Sequence, residues 1–220
     1  MRLLNWARRS SQEIWSRWPS QAYDKPRYQH RLAGVVRHVS LAVAACPTRA
    51  IQVTSLCAGD GRDVIGALAT HPRCSDVRAT LVELNPTSVA NGRTRIAATG
   101  LGHIVKFIEG DATSYETYRN IPRADVLLVC GVWGHVPEHQ RSEMMRAICG
   151  LTQIGGTVIW TRGVGKGMER LDEIKALFTP PDWKQIRLDI TPDREFVVAS
   201  YRLVGPTVTL PAEGRIFDFC

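Results

Sequence analysis

The sequence predicts an α/β fold, a mainly parallel sheet wrapped by crossover helices and closed by an antiparallel hairpin. Two patterns carry that reading. From Ala50 onward, short β-rich apolar runs alternate with helix-like stretches, the signature of repeated strand, crossover helix and strand units. Near the C-terminus the alternation stops: the runs at 185–190 and 196–203 are separated only by residues 191–195, too short a link for a parallel crossover, so they pair antiparallel. A chain of 220 residues, 44% hydrophobic and 22% charged, fits one compact domain rather than two.

Five strands are expected before the hairpin, at 50–56, 78–84, 103–109, 124–131 and 156–161. Helices are expected after them at 62–70, 86–99, 112–119, 137–150 and 168–178. Pro86 and Pro137 suit a first helical position, where the missing N–H has no intrahelical partner to lose. Upstream, residues 3–18 and 28–46 read as two helices joined by a proline-bearing link. The second places Leu32, Val35, Val36, Val39 and Val43 on one side. This gives three segments: an N-terminal helical lid at 1–49, a sheet core at 50–204, and an extended C-terminal tail at 205–220 that lies across the surface or a partner.

Net charge is +7, and the whole excess lies in residues 1–49, where eight Arg and Lys25 face only Glu13 and Asp24. Such a segment either draws in an anionic substrate or a nucleic acid backbone, or is a solvated face that aids solubility. The six cysteines form no C-x-x-C pair and follow no secretory apolar region, which suggests neither a zinc knuckle nor a disulfide framework and points to a reducing cytoplasm. The Arg-rich opening lacks the amphipathic order of a transit peptide, and Arg8-Arg9 lacks the apolar stretch of a twin-arginine signal. No apolar run reaches the roughly 18 residues of a membrane-spanning helix, so a soluble protein is expected.

The chemistry concentrates in Thr54-Ser55-Leu56-Cys57-Ala58-Gly59-Asp60-Gly61-Arg62-Asp63, between the first strand and its helix. A turn there with small residues lets a ligand approach the backbone and the exposed N–H groups of the helix N-terminus. The same glycines would also serve a plain turn. Glu83 ends the second strand at the carboxyl edge where α/β sheets bind ligands, placed to accept hydrogen bonds from a ribose diol. Glu109-Gly110-Asp111-Ala112 ends the third, so Asp111 either accepts from an exocyclic amine or caps the following helix. A dinucleotide dehydrogenase would need G-x-G-x-x-G, but Val64 stands at the third position and Gly66 comes late.

This set resembles the class I S-adenosylmethionine-dependent methyltransferases over about residues 52–203, and the string Leu56 to Asp63 is similar to a bacterial subset of them. The resemblance implies a Rossmann-like seven-stranded sheet with an antiparallel last strand, helices on both faces, and S-adenosylmethionine as cofactor, released as S-adenosylhomocysteine. It implies that Cys57, Ala58, Gly59, Asp60 and Gly61 line the methionine part, Glu83 the ribose hydroxyls, and Asp111 with Ala112 the adenine. Leu84, Asn85, Cys130 and Gly131 complete the cofactor-facing set. Ser55 stands where the family usually has an acid, and Cys57 where it has its first glycine.

The segment after the fourth strand, Cys130 to Glu138, is expected to face the transferred methyl group. It holds no [DN]-P-P-[YFW], no Pro-Cys pair and no acid ending the strand, which lowers the case for base methylation and for metal assistance. Trp133 offers a pocket wall or core packing. His135 offers a general base, since an imidazole accepts protons near neutral pH, or is a loop residue beside a helix. With Arg162 and the lid residues Tyr23, Tyr28 and Arg31 they form the expected substrate set, with His30 beside it, and no metal. The expectation is a methyltransferase acting on an O or N nucleophile of a small molecule, in secondary metabolism. The alternatives are a polynucleotide methyltransferase using the basic segment, and a catalytically silent cofactor-binding protein.

Overall fold

The computed structural model describes residues 25–47, 49–164 and 169–219, without the side chains of Glu169 and Arg170. The expected helix at 3–18, the lid residue Tyr23 and the start of the helix expected at Met168 fall outside these ranges.

Seven strands form one sheet in the order β3-β2-β1-β4-β5-β7-β6. They are β1 (Ile51–Leu56), β2 (Val77–Glu83), β3 (Val105–Glu109), β4 (Ala124–Cys130), β5 (Thr152–Gly163), β6 (Trp183–Ile190) and β7 (Phe196–Leu203). β1 to β5 run parallel, whereas β7 is antiparallel to both β5 and β6. The hairpin expected from the short link is therefore present. Register matters for the site: Leu56 pairs with Val82 and Glu83 with Glu109, which sets the tips of β1, β2 and β3 side by side.

The helices are α1 (Pro26–Ala45), α2 (Arg62–Leu68), α3 (Pro86–Thr99), α4 (Arg141–Leu151) and α5 (Glu169–Lys175). Pro86 takes the first position of α3, and the Asn85 side chain caps it by accepting from Ser88 N at 3.0 Å. Pro137 does not open α4. It sits in extended backbone ahead of a 3₁₀ turn at Glu138–Gln140, and the α-helix starts only at Arg141. The helix expected at 112–119 is a single 3₁₀ turn, Tyr115–Tyr118. β5 begins four residues earlier than expected and passes through Gly155 and Gly156, where a Cβ on Gly156 would lie 2.8 Å from the Ala124 carbonyl.

Each face of the sheet carries its own core. On one, Val35, Val39 and Val43 of α1 pack with Val64, Ile65 and Leu68 of α2 against Val53, Leu81, Leu128 and Val198. On the other, Met144 and Ile148 of α4 join Leu127, Val129, Trp160, Phe178 and Phe217. The valine stripe of α1 is spaced four residues apart and fully buried, each side chain worth about 1.5–3 kcal/mol. Gly34 meets Val198 so closely that a Cβ there would lie 2.9 Å from its Cγ2. The second helix assigned to a lid is thus a structural layer of the sheet domain, because its apolar face has β7 and α2 to cover.

His38 is buried on that face, its Nδ1 2.6 Å from Ser200 Oγ on β7 and its Nε2 3.3 Å from Asp189 Oδ2 on β6. Nearer the carboxyl edge, His30 pairs with Asp193 at 3.0 Å, and the Tyr28 ring packs on Phe196 at 5.4 Å. The tail runs along the surface and is anchored by two buried side chains. Ser114 and Arg215 form an antiparallel bridge, Ile216 N donates to Thr113 O at 2.8 Å, and Ile216 and Phe217 are buried in the second core. Among the described residues no helix is long and apolar enough to cross a membrane.

Candidate active site

The glycine turn after β1 is built on three left-handed residues in five: Cys57 (φ 51°), Gly59 (φ 57°) and Gly61 (φ 66°). Gly61 has to be glycine twice over, since a Cβ there would also lie 2.5 Å from Leu81 Cδ1. Gly59 differs, because a Cβ on it would meet nothing within 4 Å. The space above Gly59 is open to a ligand. Cys57 holds a backbone conformation that a glycine would hold without strain, which costs a non-glycine residue roughly 1 kcal/mol or more. Burial, reinforced by the charges of Glu83 and Asp111, pushes its thiol far up, so Cys57 is a neutral wall and no nucleophile.

Glu83 is held in place by its neighbours. Its Oε2 accepts from Gly59 N at 2.7 Å and its Oε1 from Asn85 N at 2.8 Å, and the main chain behind it accepts Gly110 N at 3.0 Å. Burial raises its pKa above the ordinary carboxylate value despite these N–H donors. Because its partners are neutral main-chain donors, the carboxylate keeps acceptor capacity for a ligand. Asp111 is fixed differently: Oδ1 accepts from Thr113 N at 2.9 Å and Thr113 Oγ1 at 2.7 Å, while Oδ2 faces Arg215 Nη1 at 3.3 Å. It does not cap the 3₁₀ turn that follows, where Ser114 stands in that position. Ala112 is buried, with its carbonyl accepting from the Tyr118 hydroxyl at 2.8 Å. Leu84 is an exposed apolar side chain beside Glu83.

Two expected cofactor residues have other work. The Asp60 carboxylate is nearly buried and accepts from Arg62 Nε at 2.8 Å, Arg62 Nη2 at 2.5 Å and Arg95 Nη2 at 3.1 Å. Burial alone would raise its pKa, but the Arg62 bonds and the two cations outweigh it and hold Asp60 below the usual carboxylate range. It pins α2 to α3 rather than facing the open side. Asn85 spends its side chain on the α3 cap.

A second group of the expected site residues gathers at the tips of β4 and β5. Gly131 (φ 78°) donates its N–H to Thr161 Oγ1 at 2.9 Å, and a Cβ on it would lie 3.3 Å from Arg31 Nη1. A Cβ on Gly134 would lie 2.8 Å from Arg162 Nη1. Arg31 and Arg162 therefore flank the loop 131–134, one from α1 and one from β5. Asp63, its pKa raised by burial and held back by Val64 N and Arg31, lies behind, where its charge also reaches Cys130. Cys130 is half-buried, and desolvation pushes its thiol far up, so it is neutral. His135 is half-buried in the 3₁₀ turn Trp133–His135, its ring 6.2 Å from that of Phe219.

Trp133 is a correction. It is 1% exposed and meets Phe178 edge-on at 6.1 Å, so it belongs to the core and forms no pocket wall. Tyr28 lies between Arg27 and Phe196 at the start of α1. Arg215 was not singled out in the sequence. Nothing local marks it, because its partner Asp111 is over a hundred residues away.

A sheet ordered 3-2-1-4-5-7-6, with β7 reversed and acids at the tips of β2 and β3, is the methyltransferase form of the Rossmann-like fold. A family model described as "Putative methyltransferase" matches residues 28–164, and the chain belongs to that family. A curated relative, the uncharacterized protein YnbC of Escherichia coli K12, is 32% identical over 114 residues, 51% of this chain. The match spans only 19% of that relative's length. An O-methyltransferase family protein from Burkholderia thailandensis superposes with a TM-score of 0.57 at 18% identity, over 77% of this chain and 55% of that one. A methyltransferase from Thiobacillus denitrificans in complex with S-adenosylhomocysteine gives 0.59 at 14%, over 77% and 90%. An RNA methyltransferase from Salinibacter ruber, also with S-adenosylhomocysteine, gives 0.51 at 20%, over 80% and 93%. At these identities the likeness establishes the fold.

Proposed function

We propose that the chain is an S-adenosylmethionine-dependent methyltransferase that methylates an O or N nucleophile of a small molecule. The observation that carries the cofactor is the match of donors to acceptors along one sheet edge. Open space lies over Gly59, a fixed Glu83 carboxylate stands beside it for two ribose hydroxyls, and Asp111, just past the end of the next strand, suits an exocyclic amine. Leu84 supplies an apolar surface for the purine, and neutral Cys57 and Cys130 keep the floor free of competing charge.

When bound, the cofactor supplies a sulfonium-activated methyl group and a neutral thioether leaving group. The chain then has three tasks. It holds the nucleoside end at Glu83 and Asp111, it orients the acceptor between Arg31, the 131–134 loop and Arg162, and it excludes water. His135, at the end of that loop, is the side chain we assign to take the acceptor proton as the new bond to carbon forms and the carbon–sulfur bond breaks. The nearness of Arg31 and Arg162 to this short loop supports a small acceptor in this reading. Secondary metabolism remains part of this reading.

The test is formation of S-adenosylhomocysteine from S-adenosylmethionine with a panel of small hydroxyl and amine acceptors, alongside structured RNA. Turnover with a hydroxyl acceptor should fall about 100-fold in His135→Ala. Turnover confined to RNA would replace the small-molecule reading, and unchanged turnover in the variant would remove His135 from the chemistry.

A further inference from the structure

We propose that Arg215, carried by the C-terminal tail, is a positioning residue for Asp111, and that the tail is thereby part of the adenine subsite. The inference rests on the cofactor reading given above and concerns a residue outside the family match, which ends at residue 164.

Arg215 is placed by main chain and core together. Its neighbours Ile216 and Phe217 are buried at 1% exposure, and the backbone on either side is bonded to the β3–β4 connection, Tyr115 N to Gly214 O at 3.0 Å and Ile216 N to Thr113 O at 2.8 Å. The guanidinium then spreads its donors over Asp111 Oδ2 at 3.3 Å, Thr113 Oγ1 at 2.7 Å and Asp218 Oδ1 at 2.7 Å. Asp218 is tied in turn to Gln140, which accepts its N–H at 2.7 Å.

The effect on Asp111 is specific. Oδ1 already accepts two bonds from Thr113, so it is saturated. Oδ2 accepts one long bond from Arg215 and keeps one lone pair, which fits a single N–H donor such as the amine of adenine. A purine laid over this carboxylate also strips water from it, and the adjacent cation offsets that loss. Thr113 and Arg215 therefore fix the angle of the acceptor that reads the base. The pair is partly solvent-exposed, so its influence is modest.

The experiment is titration calorimetry on the whole chain with S-adenosylhomocysteine and with S-inosylhomocysteine, which bears a carbonyl oxygen in place of the amine. The parent should prefer the adenine ligand by about tenfold or more. Arg215→Met should weaken the adenine ligand by about three- to tenfold and the inosine ligand by less than about twofold, so the preference narrows. Arg215→Lys, which keeps the charge but not the fork, should fall between them. The inosine ligand reports folding of the site within the same variant. Equal loss for both ligands, or no loss for either, overturns the positioning role. Failure of the parent to bind S-adenosylhomocysteine overturns the cofactor reading itself, before any variant is made.

Discussion

At the scale of single residues, two carboxylates in neighbouring segments show how environment divides their roles. Glu83 accepts only neutral main-chain donors and keeps lone pairs for a ligand, whereas Asp60 is enclosed by Arg62 and Arg95 and has none to offer. Asp60→Asn should therefore lower stability by about 1–3 kcal/mol, since it leaves two cations without their shared anion, yet change S-adenosylhomocysteine affinity less than about threefold. Thermal melting and calorimetry on the same sample separate the two effects. A stable variant that no longer binds would return Asp60 to the ligand. The sequence made Glu83 and Asp111 legible because strand ends show in the apolar pattern. It did not show that Asp60 points to Arg95, a contact between helices that no local pattern encodes, or that Trp133 is enclosed by Phe178 from the far side of α5.

At the scale of elements, α1 is an expected helix with a packing duty that its reading as a cover did not include. Its valine stripe was readable, and the stripe itself requires a partner surface, which proves to be α2 and β7. The basic composition around it suggested a cover, but charge on the outer face says nothing about what the inner face buries. His38 sits in that contact with Ser200, Asp189 and the nearby charges of Arg187 and Arg37. Burial lowers its pKa below the ordinary 6.5, with Asp189 acting partly against this. The unfolded chain then takes up a proton that the folded chain refuses, so the contribution is fully present above pH 6.5 and is lost as pH falls toward the lower folded value. Thermal melts from pH 7.5 to 5.5 should fall more steeply for the parent than for His38→Gln. Glu83 and Asp63 titrate in both proteins and cancel in that difference. Parallel curves would show that folding leaves the His38 pKa unchanged, and a shallower parent curve would show that the fold holds His38 protonated.

At the scale of the whole molecule, the parallel strands bring the loops after β1, β2, β3 and β4 to one edge, α1 and β5 bring Arg31 and Arg162 to the loop after β4, and the tail brings Arg215 to Asp111 after β3. The topology was legible as far as the hairpin, since strand spacing and link length determine it. The path of the tail was not, because an apolar Ile216-Phe217 pair announces burial without saying where. The central claim is that this edge holds S-adenosylmethionine through Glu83. Calorimetric titration of the intact chain with S-adenosylhomocysteine, repeated on Glu83→Ala, tests it most directly. The parent should bind without added metal, and the variant should bind at least about tenfold more weakly, since removal of a charged hydrogen-bond acceptor costs about 1.5–3 kcal/mol. Absence of binding by the parent, or equal affinity in the two proteins, would contradict it.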